Sequence, residues 1–106
     1  MIRISLEPLS GSGLKFLSTG HADYGDYGTD VICAGVSALV VNLANSIEQL
    51  TDDEVQVRDR SGRVEIRITG PVSDKTRLLI ESALLGLNEI RKEYGDDYIQ
   101  INQRWC

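Results

Sequence analysis

Residues 54–69 read Glu54-Val55-Gln56-Val57-Arg58-Asp59-Arg60-Ser61-Gly62-Arg63-Val64-Glu65-Ile66-Arg67-Ile68-Thr69. Apolar side chains recur at every second position on both sides of Arg60-Ser61-Gly62, the period of a strand that buries one face. The segment is therefore a hairpin, with Val55, Val57, Val64, Ile66 and Ile68 on its apolar side. A hairpin makes its two strands antiparallel, and a sheet that is apolar on one side needs a cover.

The flanking sequence supplies that cover. After the hairpin, Gly70-Pro71 breaks the strand, and Ser73 or Asp74 caps a helix that runs to about residue 94. Leu79, Ala83, Leu87 and Ile90 give its apolar stripe, and Gly95 ends it. Residues 97–104 form a last short strand. Before the hairpin, Thr51-Asp52-Asp53 follows a helix over residues 31–50 whose N-cap is Asp30. Val31, Ile32, Val36, Leu39, Val40, Leu43, Ala44 and Ile47 cover much of its circumference, which predicts deep burial. At the start, Ile2, Ile4 and Leu6 alternate with Arg3, Ser5 and Glu7. Ser10-Gly11-Ser12-Gly13 then turns the chain into a returning strand over residues 14–19. The order is ββαββαβ, an α+β fold with a mainly antiparallel sheet packed against two helices. No repeat, linker or low-complexity segment interrupts it, so residues 1–106 form a single compact domain.

The chain has 106 residues, 42% hydrophobic and 25% charged, with a formal net charge of −5. That balance argues against direct binding of nucleic acid, which favours a cationic face that releases counterions. The apolar run over residues 31–41 stops at Asn42, too short for a bilayer, and the alternating N-terminus is not a signal peptide. No membrane partner is expected. The two cysteines, Cys33 and Cys106, do not make a secreted disulfide framework. A cytoplasmic location follows as the expectation, with Cys106 a tail thiol without a role.

Between the first hairpin and the first helix, Gly20-His21-Ala22-Asp23-Tyr24-Gly25-Asp26-Tyr27-Gly28-Thr29 is a glycine-rich loop carrying the sole histidine. With Asp30 as cap, Cys33 falls in the first helical turn, where the dipole and free amides lower a thiol pKa from about 8.5 toward neutrality. His21 is the imidazole that can serve such a thiolate as base and acid. Each residue also has a plainer role. Cys33 can be a small buried hydrophobe, and His21 a hydrogen-bonded structural residue. His21, Asp23, Asp26 and Cys33 can be forced into a zinc site, but their spacing matches no standard finger or ribbon, so no metal or cofactor is expected. Asp30 is an ordinary helix cap or a third member that orients the histidine. Ser37, one turn beyond Cys33, either hydrogen-bonds near the thiolate or packs as a small residue. Tyr24 and Tyr27 belong to the loop surface. A phosphatase loop is excluded because Leu39 stands where CxxxxxR needs arginine. A thioredoxin centre is excluded because Val36 stands where CxxC needs cysteine. The loop has no GxGxxG pattern or P-loop lysine to cradle phosphate.

The pair Gly20-His21-Ala22 and Gly28-Thr29-Asp30-Val31-Ile32-Cys33-Ala34-Gly35-Val36-Ser37 resembles the ribosomal-processing cysteine protease family, the Prp or YsxB-like proteins. The resemblance extends over nearly the whole chain. It implies a cysteine endopeptidase that removes the N-terminal extension of a large-subunit ribosomal protein during ribosome maturation. By that match Cys33 is the nucleophile and His21 the general base, Asp30 and Ser37 hold supporting positions, and Gly20 opens the motif. Residues Ala22, Asp23, Tyr24, Gly25, Asp26, Tyr27, Gly28 and Thr29 correspond to a mobile loop. The partners implied are the precursor ribosomal protein, cut after an aromatic residue in a hydrophobic segment, and a second copy of the chain in a homodimer. The helix amides near Cys33 are then expected to form an oxyanion hole. The competing reading is a non-catalytic, ribosome-associated or protein-docking homodimeric module in which Cys33 is only core.

Overall fold

The computed structural model describes residues 1–21 and 30–104. Strands β1 (Ile2–Pro8) and β2 (Leu14–Gly20) form the first hairpin and α1 spans Val31–Leu50. The second hairpin is β3 (Val55–Arg60) with β4 (Arg63–Ile68), followed by α2 (Asp74–Tyr94) and β5 (Ile99–Gln103). The order ββαββαβ is as the sequence predicts.

The five strands make one sheet in the order β3-β4-β2-β1-β5. Each hairpin is antiparallel, and so is the β2–β4 junction between them, which sets Leu14 beside Ile68 and Thr19 beside Arg63. Only β5 runs parallel, its Ile99 beside Ile2 of β1. That connection needs a crossover, and α2 provides it. The β2–β4 junction matters most for function, because it carries the β3–β4 turn up against the end of β2.

Both helices cover the same side of the sheet. Alternate strand residues, among them Ile4, Leu6, Phe16, Ile66, Ile68 and Ile99, point into a core that α1 and α2 complete. The caps behave as their chemistry requires. Ser73 accepts a hydrogen bond from the Thr76 N–H at 3.2 Å, and Gly95 closes α2 at φ +106°. The burial of α1 differs from the expectation. Ile32, Val36, Val40, Leu43, Ala44 and Ile47 are buried, but Val31 is 54% and Val41 41% exposed. One stripe meets the sheet and the other side of this apolar helix faces outward. By length and composition α1 also meets the criterion for a membrane span, which the shorter run counted from the sequence did not, although its buried stripe lies in the domain core.

Candidate active site

Asp30 sets the position of Cys33. Its backbone is extended at φ −74°, ψ 99°, and its Oδ1 accepts hydrogen bonds from the N–H groups of Ile32 and Cys33, both at 3.0 Å. The Ala34 N–H in turn donates to the Asp30 carbonyl at 3.1 Å. Cys33 is thus held in the first turn of α1, half-buried, with its inner side against the core. The same bonds correct one expectation. The amides of residues 32–34 are already taken by the cap, so they are not open donors for an oxyanion. The carboxylate also sits on the positive end of the helix and offsets part of the dipole.

His21 is held by a different device. Gly20 ends β2 at φ +92°, and a Cβ there would lie 2.2 Å from the Met1 carbonyl oxygen, so both the backbone twist and the close approach require glycine. The Gly20 N–H donates to the Gly62 carbonyl at 2.8 Å, and the Met1 amino group donates to the His21 carbonyl. The imidazole itself, exposed, lies over Gly62 in the β3–β4 turn. Gly62 has φ +70°, and a Cβ on it would come within 2.9 Å of His21 Nε2. The turn glycine is therefore the seat on which the ring rests.

His21 and Cys33 line one cavity of about 290 Å³ between α1 and the β3–β4 turn. Gly20 and Ser37 also line it, and Val36, Val40 and Val41 give it an apolar flank. The structure thus brings together four of the residues singled out in the sequence, while the described bonds of Asp30 go to the helix. Residues 22–29, with Asp23 and Asp26 of the zinc alternative, lie outside the described residues, as does Cys106. Sequence reasoning missed Arg60, Ser61, Gly62 and Arg63, which line the cavity opposite Cys33. Nothing local marks them, since they reach the site only through the β2–β4 pairing.

A thiol and an imidazole opening onto one concavity is the equipment of a thiol-dependent hydrolase, and a small α+β cysteine protease is the class these features define. The family described as cysteine protease Prp matches residues 1–100. The chain is similar to the ribosomal processing cysteine protease Prp of Staphylococcus aureus, 34% identical over 96 residues that cover 89% of this chain and 90% of that one. The protein of the same description from Bacillus subtilis is 30% identical over 90 residues, covering 79% and 80%. Among solved structures, the essential ribosomal processing protease Prp from S. aureus in complex with a covalently linked product peptide matches with a TM-score of 0.85. It is 30% identical and the match covers 98% of this chain and 100% of that one. The chain belongs to the cysteine protease Prp family.

Proposed function

We propose that this protein is the cytoplasmic endopeptidase that removes the N-terminal extension from a precursor large-subunit ribosomal protein during ribosome maturation, acting as a homodimer. The observation that carries the reading is the cavity shared by Cys33 and His21. The similar S. aureus protein is described as a ribosomal processing protease, with structures holding a substrate peptide and a covalently linked product peptide. The flank of Val36, Val40 and Val41 suits a substrate segment that is itself hydrophobic.

The chemistry is acyl transfer in two halves. His21 takes the Cys33 proton as the sulfur adds to the scissile carbonyl, giving a tetrahedral oxyanion. Collapse of that intermediate breaks the C–N bond, and the imidazolium returns the proton to the departing amine. Water, deprotonated by His21, then attacks the thioester and releases the carboxylate product and the thiol. Asp30 supports the nucleophile by fixing the turn that carries it, and Ser37 borders the sulfur's side of the cavity.

The test is cleavage of a peptide that spans the extension and the first residues of the mature ribosomal protein. Cys33→Ala is expected to lower turnover by at least about a thousandfold. His21→Ala is expected to lower it by about a hundredfold or more, as loss of acid–base catalysis does. Cleavage by Cys33→Ala at the rate of the unaltered protein would overturn the assignment.

A further inference from the structure

The net charge of −5 conceals an uneven distribution. Arg3 of β1, Lys15 of β2, Arg58 and Arg60 of β3, and Arg63 and Arg67 of β4 alternate with the core-facing residues. They share the side of the sheet that neither helix covers. Six of the chain's eleven basic residues are therefore on one face, against two carboxylates among the described residues, Glu7 and Glu65. Glu65 is 5% exposed and paired with Arg63 at 3.5 Å, and Glu7 reaches Lys15 at 4.0 Å. Arg3, Arg60 and Arg67 have no acidic partner among the described residues, and Arg58 faces Glu65 across the β3–β4 ladder.

The pairing register sharpens the point. Arg60 stands directly opposite Arg63, and Lys15 directly opposite Arg67. Like charges facing each other across a ladder oppose folding, and a solvent-facing position asks for no cation at all. In each pair one member has a carboxylate, Lys15 with Glu7 and Arg63 with Glu65, which leaves Arg60 and Arg67 as charge for an external polyanion to meet. We propose that this face is a docking surface for the phosphodiester backbone of folded RNA.

The geometry fits that partner. Cations about 7 Å apart along a strand and about 5 Å apart between strands form a flat lattice that can meet several phosphates at once. Among the described residues the face offers no exposed aromatic side chain on which single-stranded bases would stack, so a duplex backbone is favoured. A second copy of the same face would set cation against cation. Arg60 and Arg63 stand where the lattice meets the cavity of Cys33 and His21, so bound RNA would lie beside the peptidase site. A ribosomal-protein precursor already seated on its RNA would thereby be presented to the thiol. That last step rests on the proposed function, whereas RNA binding does not.

The experiment is fluorescence anisotropy with a labelled, mixed-sequence RNA duplex, at about 50 mM and about 200 mM salt. Binding should weaken steeply with salt. The Arg3→Ala/Arg58→Ala/Arg67→Ala triple variant should bind at least about tenfold more weakly, with a log–log salt slope smaller by about two to three. The same positions changed to lysine should retain most of the affinity. Cleavage of a free short peptide by the alanine variant should stay unchanged, which separates a failure of this inference from a failure of the peptidase reading. The inference is overturned if the unaltered protein does not bind at low salt. It is equally overturned if the triple variant binds as well, if Lys75→Ala/Lys92→Ala on α2 weakens binding to the same extent, or if an acidic peptide competes as well as RNA does.

Discussion

A single methyl group tests how the His21 imidazole is held. Gly62→Ala places a Cβ in the left-handed region, costing about 1 kcal/mol, and drives it to within 2.9 Å of His21 Nε2. The ring is exposed and can swing aside, so the domain survives and the ring's placement is lost. Turnover is expected to drop at least about tenfold while the melting temperature falls by only a few degrees. Peptide cleavage and a thermal melt on the same sample check this. Asp30 gives the complementary case. Asp30→Ala removes the bonds to the Ile32 and Cys33 amides and should cost about 1 kcal/mol of stability, whereas Asp30→Asn keeps a capping oxygen and most of that stability. A rate that falls in Asp30→Asn without loss of stability would show that the carboxylate's charge acts on the thiol. Cys33, His21 and Asp30 were legible in the sequence because each carries a local signal: a lone imidazole, a thiol on an apolar helix, a cap residue at the right offset. Gly62 was legible only as a turn. Its contact with the ring arises from a pairing between strands more than forty residues apart in the chain, and no local pattern encodes that.

The two helices are joined through hydroxyls and one carboxylate. The Thr51 hydroxyl donates to the Ile47 carbonyl at 2.8 Å and accepts from the Asp53 N–H at 3.2 Å. Asp53 in turn accepts from both the N–H and the hydroxyl of Ser73, at 3.0 and 2.9 Å, tying the end of α1 to the cap of α2. Burial pushes the Asp53 carboxyl up, but hydrogen bonds from Thr76 and from the Ser73 backbone and side chain outweigh it and hold the pKa below its ordinary 3.8. A depressed carboxyl stabilises the fold fully above its unfolded value, and that contribution disappears as the pH falls through the lowered one. Asp53→Asn should accordingly melt below the unaltered protein at neutral pH, with the gap closing in strong acid. Parallel thermal melts across that range decide it. The elements and caps were largely readable, because alternation, Asp30, Ser73 and Gly95 are short-range signals. The sided burial of α1 was not, since a helix apolar around most of its surface does not declare which stripe meets the sheet.

The whole molecule, with extents of 39 × 23 × 21 Å, depends on joining its ends. The crossover through α2 returns the chain so that β5 lies along β1, the Ile2 N–H donating to the Tyr98 carbonyl at 2.9 Å. Ile99 is fully buried there. A chain ending at residue 98 loses that side chain and leaves β1 with one open edge, so circular dichroism should show no cooperative unfolding transition for it. Strand order was beyond sequence reading for the same reason as Gly62, because alternation says that a strand exists and not which neighbour it takes. There is also a consequence in time. Each hairpin pairs strands adjacent in sequence, whereas the β1–β5 ladder sets Ile2 beside Ile99 and must close the longest loop in the sheet. Refolding from denaturant should therefore form the hairpins early and seat β5 last, once the entropy of that closure has been met.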